Sequence, residues 1–505
     1  MNSQNGEPIQ RAQVVLIHFS DDRHAPVSWS AFTDSSGAFR FSTVPAGHYV
    51  LSAEKPGFQA DDSELSDRRA QLTASREGVR LKLTRLGVLT GKVVDQTGQP
   101  IRGVNMIALS QQIVDGMRQT QAVRSVTTDD RGMYRMWNFT PEKYFVKAAG
   151  KGGATLLYAG ETAPRYLADE AFALTYFGGG ETLDTAQAIQ MEAGTEARAD
   201  LNLTLKPAHK IRGLLGNFVP RRTVKFELLS GDEDVSASRV SVNGDTGAFE
   251  IQDVLAGTYT VRVTQGEARG EQAIIVGEAD VNGLAVQLSP AVDIQIHWRQ
   301  ANPPKESEAD RPLAGRIRGG ACNVTLHPPG RRMGPSIRAQ PASSQGGNGE
   351  MLLPGVLPGA YRAAIHCYGN YARTVTYGTQ DLLANPVLTV PPGTPPPPIE
   401  IVAVRGGGTI QGTLKLEGIQ PAAPIAVLLV PQFGSSTGPE TTFSDGSGQF
   451  QTRSMAPGPY AVYAFTSLRE VEFRNPAFLE SLPGGVDVQV EDNQEKKITI
   501  TRLVQ

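Results

Sequence analysis

Several things are scarce in this chain, and each scarcity removes a class of function. Only 2 of the 505 residues are cysteine, 3 are tryptophan and 7 are histidine. The histidines His18, His24, His48, His209, His297, His327 and His366 are scattered without a carboxylate at ligand spacing, so no metal site is expected on them. The formal net charge is -3 and the pI near 6.2, with no Lys/Arg-dense patch interleaved with aromatics, which excludes a nucleic-acid partner. No apolar run approaches the roughly 20 residues that span a bilayer. The longest lies around Ile425 to Val430. The opening MNSQNGEPIQ lacks the basic and apolar segments of a secretory signal.

Glycine (54) and proline (34), by contrast, are abundant. Short apolar stretches are repeatedly broken by Asp-Gly, Pro-Gly and Gly-Gly pairs, as in proteins built of short strands joined by turns. The length exceeds what one hydrophobic core supports and suggests roughly three to five domains. An all-β chain of several domains is the first expectation.

One spacing recurs five times. A glycine is followed two residues later by a large apolar residue, ten residues later by a turn, and twelve residues later by tyrosine. The instances are Gly37, Phe39, Gly47, Tyr49; Gly132, Tyr134, Glu142, Tyr144; Gly247, Phe249, Gly257, Tyr259; Gly349, Met351, Gly359, Tyr361; and Gly448, Phe450, Gly458, Tyr460. With only 13 tyrosines in the chain, five at one offset mark repeated modules. Thr33 to Gly37, Thr128 to Gly132 and Ser444 to Gly448 read as tight turns in which Asp caps and Gly supplies positive φ. The stretch Ala38-Phe39-Arg40-Phe41 alternates with period two, as a half-buried strand does. The tyrosine opens a further strand, its ring buried and its hydroxyl bonded to nearby backbone, as at a sandwich corner.

Before each hairpin an opening strand, a Gly/Pro turn and a second strand are expected, as in Leu89 to Val94, Gly98 to Ile101 and Val104 to Leu109. Each module should close on an alternating strand, at Val79 to Leu83, Ala199 to Leu203, Leu284 to Leu288, Ile399 to Ala403 and Ile498 to Thr501. Boundaries then fall near residues 86, 207, 289 and 404, giving modules 1–86, 87–207, 208–289, 290–404 and 405–505. The second carries a long insertion, and the fourth a stiff Pro-rich crossing from Pro391 to Pro398.

The string GKVVDQTGQPIRGVNMIAL, followed by TTDDRGMYRM and the turn into Tyr144, resembles the carboxypeptidase regulatory-like domain. That domain is a transthyretin-like seven-stranded sandwich, grouped with Cna B-type and starch-binding-like folds. Modules one, two and five match it well, three and four less so. The resemblance implies a tandem array of immunoglobulin- or transthyretin-like sandwiches, in which the module is an accessory or spacer fold. The tails of modules two and five are similar to segments of large bacterial surface proteins. Some pilin-like relatives cross-link a first-strand lysine to a last-strand Asn or Asp, but here the lysine position, two before Asp95, is Val93. Lys92 falls on the opposite face, so no isopeptide bond is expected in module two.

Other chemistries find little support. A zinc carboxypeptidase needs a His and a Glu two positions apart with a distant His, and no such set exists. Gly434 to Gly438 matches G-x-S-x-G formally, yet Pro439 and an Asp-Gly hairpin follow instead of a helix. Gly178-Gly179-Gly180 and Gly406-Gly407-Gly408 lack the Lys-Ser/Thr of a phosphate loop and read as turns. Asp61 to Glu64 and Gly231 to Asp234 read as solvated acidic loops without calcium spacing. Carbohydrate binding needs exposed aromatics; of Trp29, Trp137 and Trp298, Trp137 is the candidate because it points away from Tyr134 and Met136.

Two further expectations concern particular segments. Cys322 and Cys367 both point into the core of module four, which predicts a disulfide between them and an oxidising compartment. Aligning Asn5-Gly6-Glu7-Pro8 with Thr97-Gly98-Gln99-Pro100 leaves module one without an opening strand, so a strand, preceded by a signal peptide or by further modules, is expected upstream of Met1. The resulting picture is a monomeric rod of five sandwiches, each about 35 Å across and together about 170 Å long. It would be a non-enzymatic spacer or adhesion element that is secreted, periplasmic or on the cell surface, with no cofactor and an unknown protein or glycan partner. A polysaccharide-binding accessory protein is the alternative and an uncharacterised hydrolase the third.

Overall fold

The computed structural model describes residues 1–18, 27–45, 47–60, 69–72, 77–149, 169–231, 233–235, 239–301, 322–328, 336–341, 351–367, 370–416, 424–434 and 438–504. His24, Ala46, Asp61 to Glu64, Asp232, Gly349 and Ser435 to Thr437 therefore lie outside the described residues. The architecture is all-β, with paired sheets enclosing separate cores. By contacts the chain divides into two compact units, Met1–Ser110 with Ala122–Ala208, and Gln111–Gln121 with His209–Gln505.

In the first unit, one core runs from Ile9 to Leu83 and another from Leu89 to Leu203. The first is covered by a four-stranded antiparallel sheet of Val27–Phe32, Gln13–His18, Gly47–Glu54 and Arg69–Leu72. The second has two full layers. Asn105–Val114 and Lys143–Ala149 lie in one. In the other, Gly87–Asp95 sits between antiparallel Met133–Phe139 and the parallel segments Glu196–Arg198 and Leu201–Leu203.

The second unit repeats that wiring three times. Leu205–Gly216 lies between antiparallel Ala248–Leu255 and parallel Val281–Gln287. Val292–Gln300 lies between Met351–Val356 and parallel Ile399–Arg405. Thr409–Leu414 lies between Gln449–Gln451 and parallel Glu495–Ile500. Within the same unit the tip 111–121 is fixed by Arg118, whose Nη2 is 2.6 Å from the Glu472 carboxylate. The Arg474 amide also donates to the Gly116 carbonyl at 2.9 Å.

A glycine on the opening strand makes this wiring possible in three places. A Cβ on Gly91 would stand 1.9 Å from the Ala199 carbonyl oxygen and 2.6 Å from the Tyr134 ring. On Gly213 it would meet the Leu284 carbonyl at 2.2 Å and the Phe249 ring at 2.5 Å, and on Gly412 the Phe450 ring at 2.0 Å. The ring two residues after the turn glycine thus fills the space at an opening-strand glycine, and at Gly91 and Gly213 a carbonyl from the closing segment crowds the same position. Only a residue without a side chain fits such close backbone approach.

Three expectations differ from the structure, and one element was not anticipated. Ala38 to Phe41 alternates as expected, yet it belongs to no sheet, because among the described residues no opening strand runs beside it to accept its bonds. The closer expected at Val79 to Leu83 is reduced to Leu83–Arg85, which pairs with Phe58–Ala60. There Met1–Ser3 supply a short substitute: Asn2 forms a parallel bridge with Leu83, and the Met1 amine donates to the Leu81 carbonyl at 2.8 Å. Glu233–Asp234 is not a loop but a strand paired with Lys225–Ser230. The tail of module five contains a helix, Pro476–Ser481, capped by the Asn475 side chain. Phe478 and Leu479 of that helix pack against Leu428, Val430 and Phe473. This second small core covers the outer face of Ala426–Pro431 and accounts for the longest apolar run in the sequence, buried on both faces.

Candidate functional site

The residues that recur in every module serve its corners. The Tyr49 hydroxyl donates to the Pro45 carbonyl at 2.8 Å, Tyr259 to Leu255 at 3.0 Å, Tyr361 to Leu357 at 2.9 Å and Tyr460 to Ala456 at 2.9 Å. Each bond reaches back four residues and ties the turn to the strand that follows. Tyr144 keeps the spacing but meets the Thr140 hydroxyl instead, at 2.6 Å. Burial disfavours the phenolate and pushes the pKa of Tyr144, Tyr361 and Tyr460 above the usual phenol value.

Sequence reasoning missed a second fixture of the same corners. Thr33 is buried, and its hydroxyl donates to the Ile9 carbonyl at 2.6 Å while accepting from the Ala12 amide at 2.8 Å. Thr128 repeats this with Ile101 and Val104, and the Ser444 hydroxyl accepts from the Ile425 amide. The signal was the Thr-Asp or Ser-Asp pair that opens each of these turns. The aspartate works locally: Asp34 and Asp445 each accept from the residue two ahead, twice, and from the amide four ahead.

Cys322 and Cys367 are register partners on neighbouring antiparallel strands, joined by a disulfide with their Cα atoms 4.0 Å apart. His297 pairs with Glu400 at 2.8 Å, and burial lowers the basicity of His327 and His366. Among the described residues no three His, Cys, Asp or Glu side chains converge as a metal site would need. The glycine triplets sit in turns: the Tyr176 amide bonds the Gly180 carbonyl, and the Gly407 amide bonds the Asp492 carboxylate at 2.6 Å.

The three tryptophans are placed differently. Trp29 stands edge-on to the Tyr49 ring at 5.7 Å, and Trp298 packs against the core of module four. Trp137 is 58% exposed on the outer face of Met133–Phe139, while Tyr134 and Met136 are buried on the inner one. It faces Val88 across the ladder, which in turn faces Glu196; the next row is Arg135, Thr90 and Arg198. A bulge follows, with Asn138 at φ 65°. The Arg124 guanidinium spans that bulge, bonding the carbonyls of Val123 at 2.7 Å, Trp137 at 3.2 Å and Asn138 at 3.1 Å.

Fold and fixtures together define a tandem array of β-sandwiches whose recurring residues hold corners and turns. The family model of the carboxypeptidase regulatory-like domain matches residues 2–81, the same family that the sequence motifs resemble. Among curated proteins none matches the chain. Solved structures similar to it include the minor pilin GBS52 of Streptococcus agalactiae, at 16% identity and TM-score 0.21, over 40% of this chain and 85% of that one. The Bacillus anthracis TIE protein aligns over 99% and 72% at 9% identity and TM-score 0.16. BcpA, the major pilin subunit of Bacillus cereus, aligns over 83% and 99% at 10% identity and TM-score 0.14.

Proposed function

We propose that this chain is a non-catalytic structural element of a bacterial envelope or surface, serving as a spacer or in adhesion. On this reading it is an array of five modules divided near residues 86, 207, 289 and 404. The observation that carries the reading is the corner tyrosine: its bond to a group four residues earlier recurs at one spacing in all five modules. What the repeat preserves is a way of turning the chain. The Cys322–Cys367 disulfide supports assignment to an oxidising compartment, since such bonds persist outside the reducing cytosol.

Fractionation of native cells with an antibody against the chain tests both parts. The chain is expected with the envelope or the medium, and its two cysteines should take up a membrane-impermeant maleimide only after a reductant is added. Recovery from the cytosol with freely labelled thiols would overturn the proposal.

A further inference from the structure

We infer that the outer face of module two around Trp137 binds a neutral saccharide, with the indole as a stacking platform. The proposal does not rest on the spacer reading; a spacer without glycan affinity would fail the test below and remain a spacer.

The first argument is rigidity. A tryptophan on a mobile loop samples many orientations, but Trp137 stands on a strand where its own carbonyl and that of Asn138 are both held by one guanidinium, that of Arg124. A platform fixed in this way loses little further freedom when a ring stacks on it. The second argument is what surrounds the ring. A protein partner would need a continuous apolar patch, whereas here the exposed indole has only half-buried Val88 opposite it, and Arg135 separates it from the exposed Met133 along the strand. Arg135 lies two residues before it on the same face, and Glu196 stands two strands away in its own row. Both side chains are more than half exposed and only loosely paired, 3.8 Å apart. Arg198 and Thr90 complete the next row.

The third argument is sign. Arg135 and Arg198 meet the carboxylates of Glu196 and Asp200 on one face, and Arg198 already bonds Asp200 at 2.9 Å. An anionic ligand would meet the acids and a cationic one the arginines. A pyranose fits this environment: one apolar C–H face for the indole, and a rim of hydroxyls that both donate and accept. Thr90 Oγ1 and Glu196 Oε1, 3.3 Å apart between the two rows, are polar groups that can receive that rim.

The test is affinity electrophoresis of the full chain in gels cast with neutral polysaccharides, an α-glucan, a β-glucan, a xylan and a galactomannan in turn. Retardation by at least one is expected. Trp137→Ala should weaken it at least ten-fold, and Arg135→Ala or Glu196→Gln about three- to ten-fold. Trp137 is exposed, so an unchanged melting profile should accompany its substitution, and Trp29→Phe should leave retardation intact. No retardation in any neutral gel, or retardation indifferent to Trp137→Ala, would overturn the inference. So would binding confined to acidic polysaccharides and abolished by salt. Self-association lost with Trp137→Ala would assign the face to a second copy and overturn it equally.

Discussion

Modules one and two carry the same spacing of glycine, apolar residue, turn and tyrosine, yet they differ in one layer. In module two the segment after the turn glycine is the strand Met133–Phe139, bonded along its length to Gly87–Asp95. In module one the matching residues Ala38 to Phe41 belong to no sheet, and Phe39 is only half-buried where Tyr134 is buried. Their alternation is equally regular. A period-two pattern therefore states which face a segment would bury, while the neighbouring strand decides whether it becomes a strand at all.

The largest expected effect is in hydrogen exchange. In the full chain the amides of Phe39 and Phe41 should exchange within about three orders of magnitude of free-peptide rates, whereas those facing Gly87–Asp95 exchange only on opening of module two. Equal protection in the two segments would erase the comparison. Next is Gly91→Ala. Its Cβ would meet the Ala199 carbonyl and the Tyr134 ring, and neither can retreat without breaking the parallel pairing. A loss of about 3 kcal/mol or more is expected, confined to the exchange of residues 87–203 and silent in module one.

A smaller contrast separates the two corners. Tyr49→Phe removes a bond to a backbone carbonyl and should destabilise module one by about 1 kcal/mol. Tyr144→Phe frees a Thr140 hydroxyl that can turn to water, so about 0.5 kcal/mol is expected for module two. Segment-resolved exchange in a urea series measures both. The smallest effect is acid sensitivity. The bond from the Ser36 side chain, followed by that from the Ala38 amide, holds the Asp34 carboxyl below its ordinary value. A group depressed in the folded state stabilises above its unfolded value near 3.9 and loses that contribution as pH falls through the folded one. Asp34→Asn should flatten the acid limb of module one below about pH 4, read from urea midpoints between pH 3 and 6.

Much of the framework was legible because it is local. The turn glycines, the Asp caps and the corner tyrosines act within about a dozen residues of sequence, and their spacing repeats. The pairing of Cys322 with Cys367 was legible because alternation put both on one buried face. Other features hid in plain sight: Leu89-Thr90-Gly91-Lys92-Val93, Ile211-Arg212-Gly213-Leu214-Leu215 and Ile410-Gln411-Gly412-Thr413-Leu414 share one pattern. The reason for their glycine is a ring roughly 40 residues onward, so the pattern has no local meaning. The reduced layer of module one was misread for the opposite cause, since its own residues alternate correctly and only their neighbour differs. Trp137 could be placed on an outer face by counting, but the guanidinium that fixes it lies on another strand, beyond any local pattern.

The parallel pairing of opening and closing strands has a mechanical consequence. In module five Thr409–Leu414 and Glu495–Ile500 run side by side in the same direction over six register pairs. Tension applied to the two ends of such a module pulls these strands past each other along their length, loading their bonds together in shear. An antiparallel pair pulled from one end would instead open bond by bond, like a zipper. Four modules place this shear joint between the strands by which the chain enters and leaves, so each resists stretching at the points where its neighbours would pull.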